Sequence, residues 1–139
     1  MNFERGTLNS LISPPCGKEM IRLIVADDQE TVRTALRVQL GLEPDLEVVG
    51  EADDGTTALA LAETLHPHVV LMDIRMREMD GLSATRTLRE LSPHIRVVIL
   101  TLYDDPSTKA RAKEAGAVGF VGKHEQCEAL VEALRRAAA

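Results

Sequence analysis

Four short apolar runs in this chain each lead straight into a residue able to do chemistry. Ile21–Ala26 is followed by Asp27 and Asp28, Val69-Val70-Leu71-Met72 by Asp73, Val97-Val98-Ile99-Leu100 by Thr101, and Ala117–Gly122 by Lys123. Gathered in one pocket, these would be three carboxylates, a hydroxyl and an ammonium. Close carboxylates repel, and a bound divalent cation relieves that repulsion. Mg²⁺ takes hard oxygen ligands, keeps several waters and shares phosphoryl oxygens. A carboxylate held beside it can attack phosphorus in line while the cation offsets charge on the equatorial oxygens. Lys123 then acts as a point charge on one phosphoryl oxygen and Thr101 donates a hydrogen bond to another. The product on Asp73 is an aspartyl phosphate. Taken singly these residues say less: Asp27-Asp28 and Asp73 read as turn or helix caps, and Thr is common in strands.

The elements that must position them alternate in type. Strands are expected at Ile21–Ala26, Leu46–Ala52, Val69–Met72, Ile95–Leu100 and Ala117–Gly122. Between and after them come helices from about Glu30 to Gly41, Thr56 to Leu65, Leu82 to Leu91, Pro106 to Gly116 and Glu125 to Ala137. Val32, Ala35, Leu36 and Leu40 recur at helical spacing on one face of the first, and the third carries Leu88 and Leu91. The turn Asp53-Asp54-Gly55 holds a candidate N-cap and Asp105 is another, Pro106 suits a first helical position and Gly116 a left-handed C-cap. Strand–helix alternation with short connections means a parallel sheet covered on both faces. Right-handed crossovers make it α/β, a doubly wound five-stranded (β/α)5 sheet of the flavodoxin-like three-layer kind. In such sheets ligands bind at the carboxyl ends of the strands, where the polar residues sit.

Composition narrows the partners. The chain has 139 residues and a formal charge of −6, with no cluster of Lys and Arg to track a phosphate backbone. Direct nucleic-acid contact by this chain is not expected. Cys16 and Cys127 have no metal or disulfide spacing, which fits a cytoplasmic setting. No apolar run is long enough to cross a bilayer. His66, His68, His94 and His124 are scattered in turns and read as surface residues. Residues 1–19 break any period at Pro14-Pro15 and read as a flexible leader with a short helical turn near Leu8–Ile12, leaving 20–139 as the domain.

In order, Asp27-Asp28, Asp73, Met76, Gly81, Thr101 and Lys123 resemble the receiver domain of bacterial two-component response regulators, from about Ile21 to Arg136. The segments LTLYDD, RAKEAGAVGF and DIRM…MDGL resemble the subgroup attached to a LuxR-type helix-turn-helix domain. The resemblance implies that Asp73 is the phosphoacceptor, fed by a cognate sensor histidine kinase. It makes Asp28 the direct Mg²⁺ ligand, Asp27 a ligand through metal-bound water, and Arg75 the donor of a backbone carbonyl. It makes Thr101 the switch hydroxyl, Lys123 the phosphoryl-binding lysine and Phe120 the aromatic switch residue. Phosphorylation would draw Thr101 inward, free space for Phe120 and reshape the face of the fourth helix, fifth strand and fifth helix. A homodimer formed on phosphorylation and transcription control through a DNA-binding domain outside this chain complete the implied picture.

The chain departs from the family pattern at three places. Arg77 stands where Pro is common after the phosphoacceptor, which predicts a looser loop there. Leu102 follows the switch Thr where a small residue is common, narrowing access to the site. His124 replaces the Pro that often follows the lysine. Tyr103 reads equally as a ring over the pocket or an exposed loop residue. Three other functions compete. A degenerate receiver would serve only as a docking or dimerisation module. An aspartate-nucleophile phosphatase would carry a second Asp where Arg75 stands. A flavodoxin-like cofactor binder would need a phosphate loop after the first strand, and none is there.

Overall fold

The computed structural model describes residues 20–139. The leader 1–19, with Cys16 and the helical turn expected near Leu8, lies outside the described residues. The order of elements is β1 (Ile21–Ala26), α1 (Glu30–Gly41), β2 (Leu46–Ala52), α2 (Gly55–Leu65), β3 (Val69–Met72), α3 (Gly81–Leu91), β4 (Arg96–Thr101), α4 (Pro106–Ala115), β5 (Gly119–Gly122) and α5 (Cys127–Ala138). All pairings are parallel, in the spatial order β2-β1-β3-β4-β5. The order reverses between β1 and β3, which opens a crevice at their carboxyl ends.

Alternation along the strands supplies two cores. Ile24, Val70, Met72 and Ile99 point to the face covered by α2, α3 and α4, where Ala58, Leu82, Leu88, Ala112 and Ala115 meet them. Leu23, Val25, Val69, Leu71 and Val98 point to the other face, under Leu36 and Leu40 of α1 and Leu130, Val131 and Leu134 of α5. β3 is buried along its whole length. The continuous apolar run is the signature of such a strand.

Helix ends follow local chemistry. Asp54, Asp80 and Asp105 each accept a hydrogen bond from the backbone N–H three residues on, satisfying a donor that the first turn leaves unpaired. Gly116 closes α4 at φ 115°, a left-handed conformation that glycine adopts without strain.

Several expectations shift. β5 begins at Gly119, not Ala117, because Ala117 N–H is bonded back to the Ala112 carbonyl of α4. α5 begins at Cys127, not Glu125, because the Glu125 carboxylate accepts from the Gly122 N–H at 2.7 Å. Ala35 is exposed: Leu36 and Leu40 occupy the line of closest approach to the sheet, and Ala35 faces the groove toward α5. Leu91, the last residue of α3, is 73% exposed. His68 is not a free surface residue. It is half-buried, and its Nδ1 accepts the Arg22 backbone N–H at 2.9 Å.

Candidate functional site

The register of the sheet brings the polar residues together. Ala26 lies opposite Met72 in the β1–β3 pair, and the Asp73 N–H continues that ladder to the Ala26 carbonyl at 2.9 Å. Asp27 and Asp73 therefore leave adjacent strands side by side. On the other flank Thr101 lies opposite Gly122, and the Lys123 N–H bonds the Thr101 carbonyl at 2.8 Å. Asp27, Asp28 and Asp73 each bring a carboxylate oxygen within 4.8 Å of the others. A trio of hard oxygens at that spacing suits one small divalent cation.

Lys123 closes the cluster. Its Nζ donates to Asp27 Oδ2 at 2.7 Å and to Asp73 Oδ2 at 2.9 Å. Asp27 and Asp73 are buried, whereas Asp28 is exposed at the mouth. Burial, reinforced by the Asp27 charge, pushes the Asp73 carboxyl above its ordinary value against the opposing pull of Lys123. Burial alone would lower the Lys123 ammonium, but hydrogen bonds and charge from both aspartates outweigh it and raise the group. The site thus holds an ammonium that stays charged and a carboxylate of enhanced basicity.

Asp27 is held on every side. Its N–H bonds the Ala52 carbonyl at 3.0 Å, and its Oδ1 accepts the Gln29 N–H at 2.9 Å, so it also acts as a turn residue ahead of α1. Its carbonyl accepts from Arg33 Nη1 at 2.6 Å. Arg33 in turn donates to Glu51 of β2, which also pairs with Arg37. Arg33 and Glu51 are absent from the sequence-derived site. Arg33 acts on a carbonyl rather than on a side chain, and Glu51 acts through Arg33, so no motif spacing marks them.

Thr101 is fully buried, and its Oγ1 accepts the Tyr103 N–H at 3.2 Å. Arg75 is exposed, with its guanidinium carbon 4.3 Å from the centroid of the Tyr103 ring. The Tyr103 ring is 43% exposed and lies against that guanidinium. Phe120 is half-buried against the core, beside a groove between α4 and β5.

The loop behind Asp73 is tied down, contrary to the looseness expected from Arg77. Arg77 forms a parallel backbone bridge with Asp54, and its guanidinium meets Asp53 Oδ2 at 3.2 Å. The Gly55 N–H bonds the Met79 carbonyl at 3.0 Å, and the Gly81 N–H bonds the Ile74 carbonyl at 2.7 Å. Glu78 adopts the left-handed region at φ 63° to complete the turn. Hydrogen bonds to the neighbouring loop thus replace the stiffness of a proline ring. A side chain on Gly81 would place its Cβ 1.9 Å from the Asp73 carbonyl oxygen, so only glycine permits α3 to start this close.

A doubly wound sheet with three carboxylates and a lysine at its switch point defines an acidic, phosphate-handling α/β module. The sequence model of the response regulator receiver domain matches residues 23–135, and the chain belongs to that family. It is 41% identical over 117 residues to the response regulator GacA of Pseudomonas aeruginosa, covering 84% of this chain and 55% of that protein. It is 36% identical over 115 residues to the transcriptional regulatory protein DegU of Brevibacillus brevis, covering 83% of this chain and 49% of that protein. A LuxR-family DNA-binding response regulator from Staphylococcus aureus superposes with a TM-score of 0.81 at 31% identity, over 86% of this chain and all of that one. The chain spans about half the length of these curated relatives. It is therefore a receiver module of two-component phosphorelay signalling, of the LuxR-type group, and a signalling switch by family. Receiver domains bind Mg²⁺ at an acidic pocket, and the aspartate trio here has the donor set for it. Among the described residues no helix is long and apolar enough to cross a membrane.

Proposed function

We propose that Asp73 is the phosphoacceptor and that a sensor histidine kinase supplies the phosphoryl group. The observation that carries this reading is the Lys123 ammonium shared between Asp27 and Asp73 at 2.7 and 2.9 Å. It puts a fixed positive charge beside a buried carboxylate at the end of the central strand.

An Asp73 carboxylate oxygen attacks the phosphorus of a phosphohistidine. The O–P bond forms as the N–P bond breaks, and the imidazole leaves with the electron pair and takes up a proton. Lys123 then exchanges its Asp73 contact for a phosphoryl oxygen and stays anchored to Asp27. Asp28, Asp73 and the Arg75 backbone carbonyl would hold Mg²⁺, with Asp27 acting through a bound water. The cation would offset charge on the equatorial oxygens during transfer. Thr101 turns its hydroxyl to the new phosphoryl group and breaks its bond from the Tyr103 N–H. Phe120 moves into the vacated space, and the α4–β5–α5 face changes shape. The module works as a switch in the cytoplasm rather than as a turnover enzyme. Its output is transcription, through a DNA-binding domain outside residues 1–139 and a dimer formed on phosphorylation; the names of DegU and of the Staphylococcus aureus regulator support that output.

Incubation with Mg²⁺ and a small phosphodonor such as acetyl phosphate tests the assignment. Intact-mass spectrometry is expected to show one added phosphoryl group on the wild-type protein and none on Asp73→Asn. An unmodified wild-type protein would overturn the reading.

A further inference from the structure

We propose that Arg75 and Tyr103 form a latch across the mouth of the acidic pocket, and that a phosphoryl group on Asp73 opens it by capturing the Arg75 guanidinium. The inference rests on Asp73 being the phosphoacceptor.

The two residues belong to different loops. Arg75 lies two positions beyond Asp73 on the β3–α3 loop, and Tyr103 two positions beyond Thr101 on the β4–α4 loop. The guanidinium carbon sits 4.3 Å from the ring centroid, well inside cation–π range. Among the described residues the Arg75 guanidinium meets this ring rather than a carboxylate. Tyr103 is doubly held, its ring by Arg75 and its N–H by Thr101 Oγ1 at 3.2 Å. Each hold ends at a group next to the site of phosphorylation.

The balance of forces gives the latch its direction. In the resting protein the ammonium of Lys123 already pairs with both buried carboxylates, Asp27 and Asp73, so neither is left without a partner for Arg75 to seek. The exposed cation settles on the ring. Phosphorylation adds an anion with several acceptor oxygens two residues away. A charge-assisted contact between guanidinium and phosphoryl oxygens is stronger than a cation–π contact at a ring open to water. Arg75 therefore moves to the phosphoryl group and Tyr103 loses its cover. This route into the β4–α4 loop runs beside the one through Thr101, and both release Tyr103 together.

The chain has one tyrosine and no tryptophan, so its intrinsic emission reports Tyr103 alone. The experiment is acrylamide quenching of the full chain, with and without Mg²⁺ and beryllofluoride, a fluoride complex that bonds to a carboxylate oxygen in the shape of a phosphoryl group. Fluorine NMR reports independently whether beryllofluoride is bound, with Asp73→Asn as the control that should lose the signal. In the wild type the quenching constant is expected to rise about twofold on binding, as the ring gives up its cation. Arg75→Ala should start at the raised value and stay there, and Arg75→Lys should lie between. Circular dichroism checks that both exposed-site variants are folded. Equal resting values for wild type and Arg75→Ala overturn the latch. So does a bound fluorine signal without a change at Tyr103, or an equal rise in both proteins, and in each case Asp73 still stands as phosphoacceptor. A wild-type protein with no bound fluorine signal removes the phosphoacceptor reading and the latch with it.

Discussion

The cost of the site is carried by single residues, Asp73 above all. Its carboxyl is raised because burial beside Asp27 disfavours its charge more than Lys123 favours it. A carboxyl whose folded-state pKa exceeds its unfolded value supports the fold below the unfolded pKa, near 3.8, and loses that support as pH climbs through the folded value. At pH 7 and without Mg²⁺ the ionised Asp73 therefore opposes folding. Asp73→Asn keeps an oxygen for the Ile74 N–H, now bonded at 2.7 Å, and leaves Lys123 paired with Asp27. The variant is expected to melt at a higher temperature than wild type at pH 7, with the gap shrinking as pH falls toward 4. Calorimetry across pH checks this; a lower melting temperature at pH 7 would show that Lys123 dominates. At this scale the sequence was informative where function sits on a side chain behind a strand: Asp27, Asp28, Asp73 and Lys123 are brought together as expected. It was silent on Arg33 and Glu51, whose grip on the Asp27 backbone depends on a crossing between α1 and β2.

Elements convert those residues into a geometry, and their junctions are the sensitive points. α3 can start where it does because Gly81 has no side chain against the Asp73 carbonyl. Gly81→Ala must push α3 away from the end of β3, and overpacking of this kind costs about 3 kcal/mol. Gly41 at the end of α1 has nothing within 4 Å of the same added atom. Gly41→Ala should be neutral or stabilising, by up to about 1 kcal/mol, since alanine favours the helix and restricts the unfolded chain. Urea unfolding of the two variants measures the contrast, and phosphoryl uptake should fall in Gly81→Ala alone. Comparable stability for both would place the strain elsewhere. The elements themselves were legible because apolar runs, caps and the left-handed Gly116 are local signals. The ends of β5 and α5 were not, because hydrogen bonds from Ala117 and to Glu125 trim them. Loop stiffness was misread for a related reason. Arg77 in place of proline predicts freedom, but the bridge to Asp54 forms between segments distant in sequence.

The whole molecule ties the two faces of the sheet into one unit. Each strand alternates between the α2–α3–α4 core and the α1–α5 core, so neither can dissolve without exposing strands the other needs. Asp73 follows directly on β3, whose residues alternate between the two cores. Leu71→Ala opens a cavity on the α1–α5 side and Ile99→Ala one on the opposite side, each at a cost of about 3 kcal/mol. Against a total of roughly 5–15 kcal/mol for a domain of this size, either loss is large, but neither should split the transition. Cys127, half-buried at the start of α5, supplies a probe of one face by thiol labelling in a Cys16→Ser background. Far-ultraviolet circular dichroism reports the molecule as a whole. In urea the two signals are expected to change at the same midpoint in wild type, Leu71→Ala and Ile99→Ala alike, because the sheet couples the faces. If Cys127 in Leu71→Ala becomes reactive well before the dichroism changes, the α1–α5 layer unfolds by itself. Asp73 would then be held firmly from one side only, and the switch would rest on a sheet softer than its burial implies.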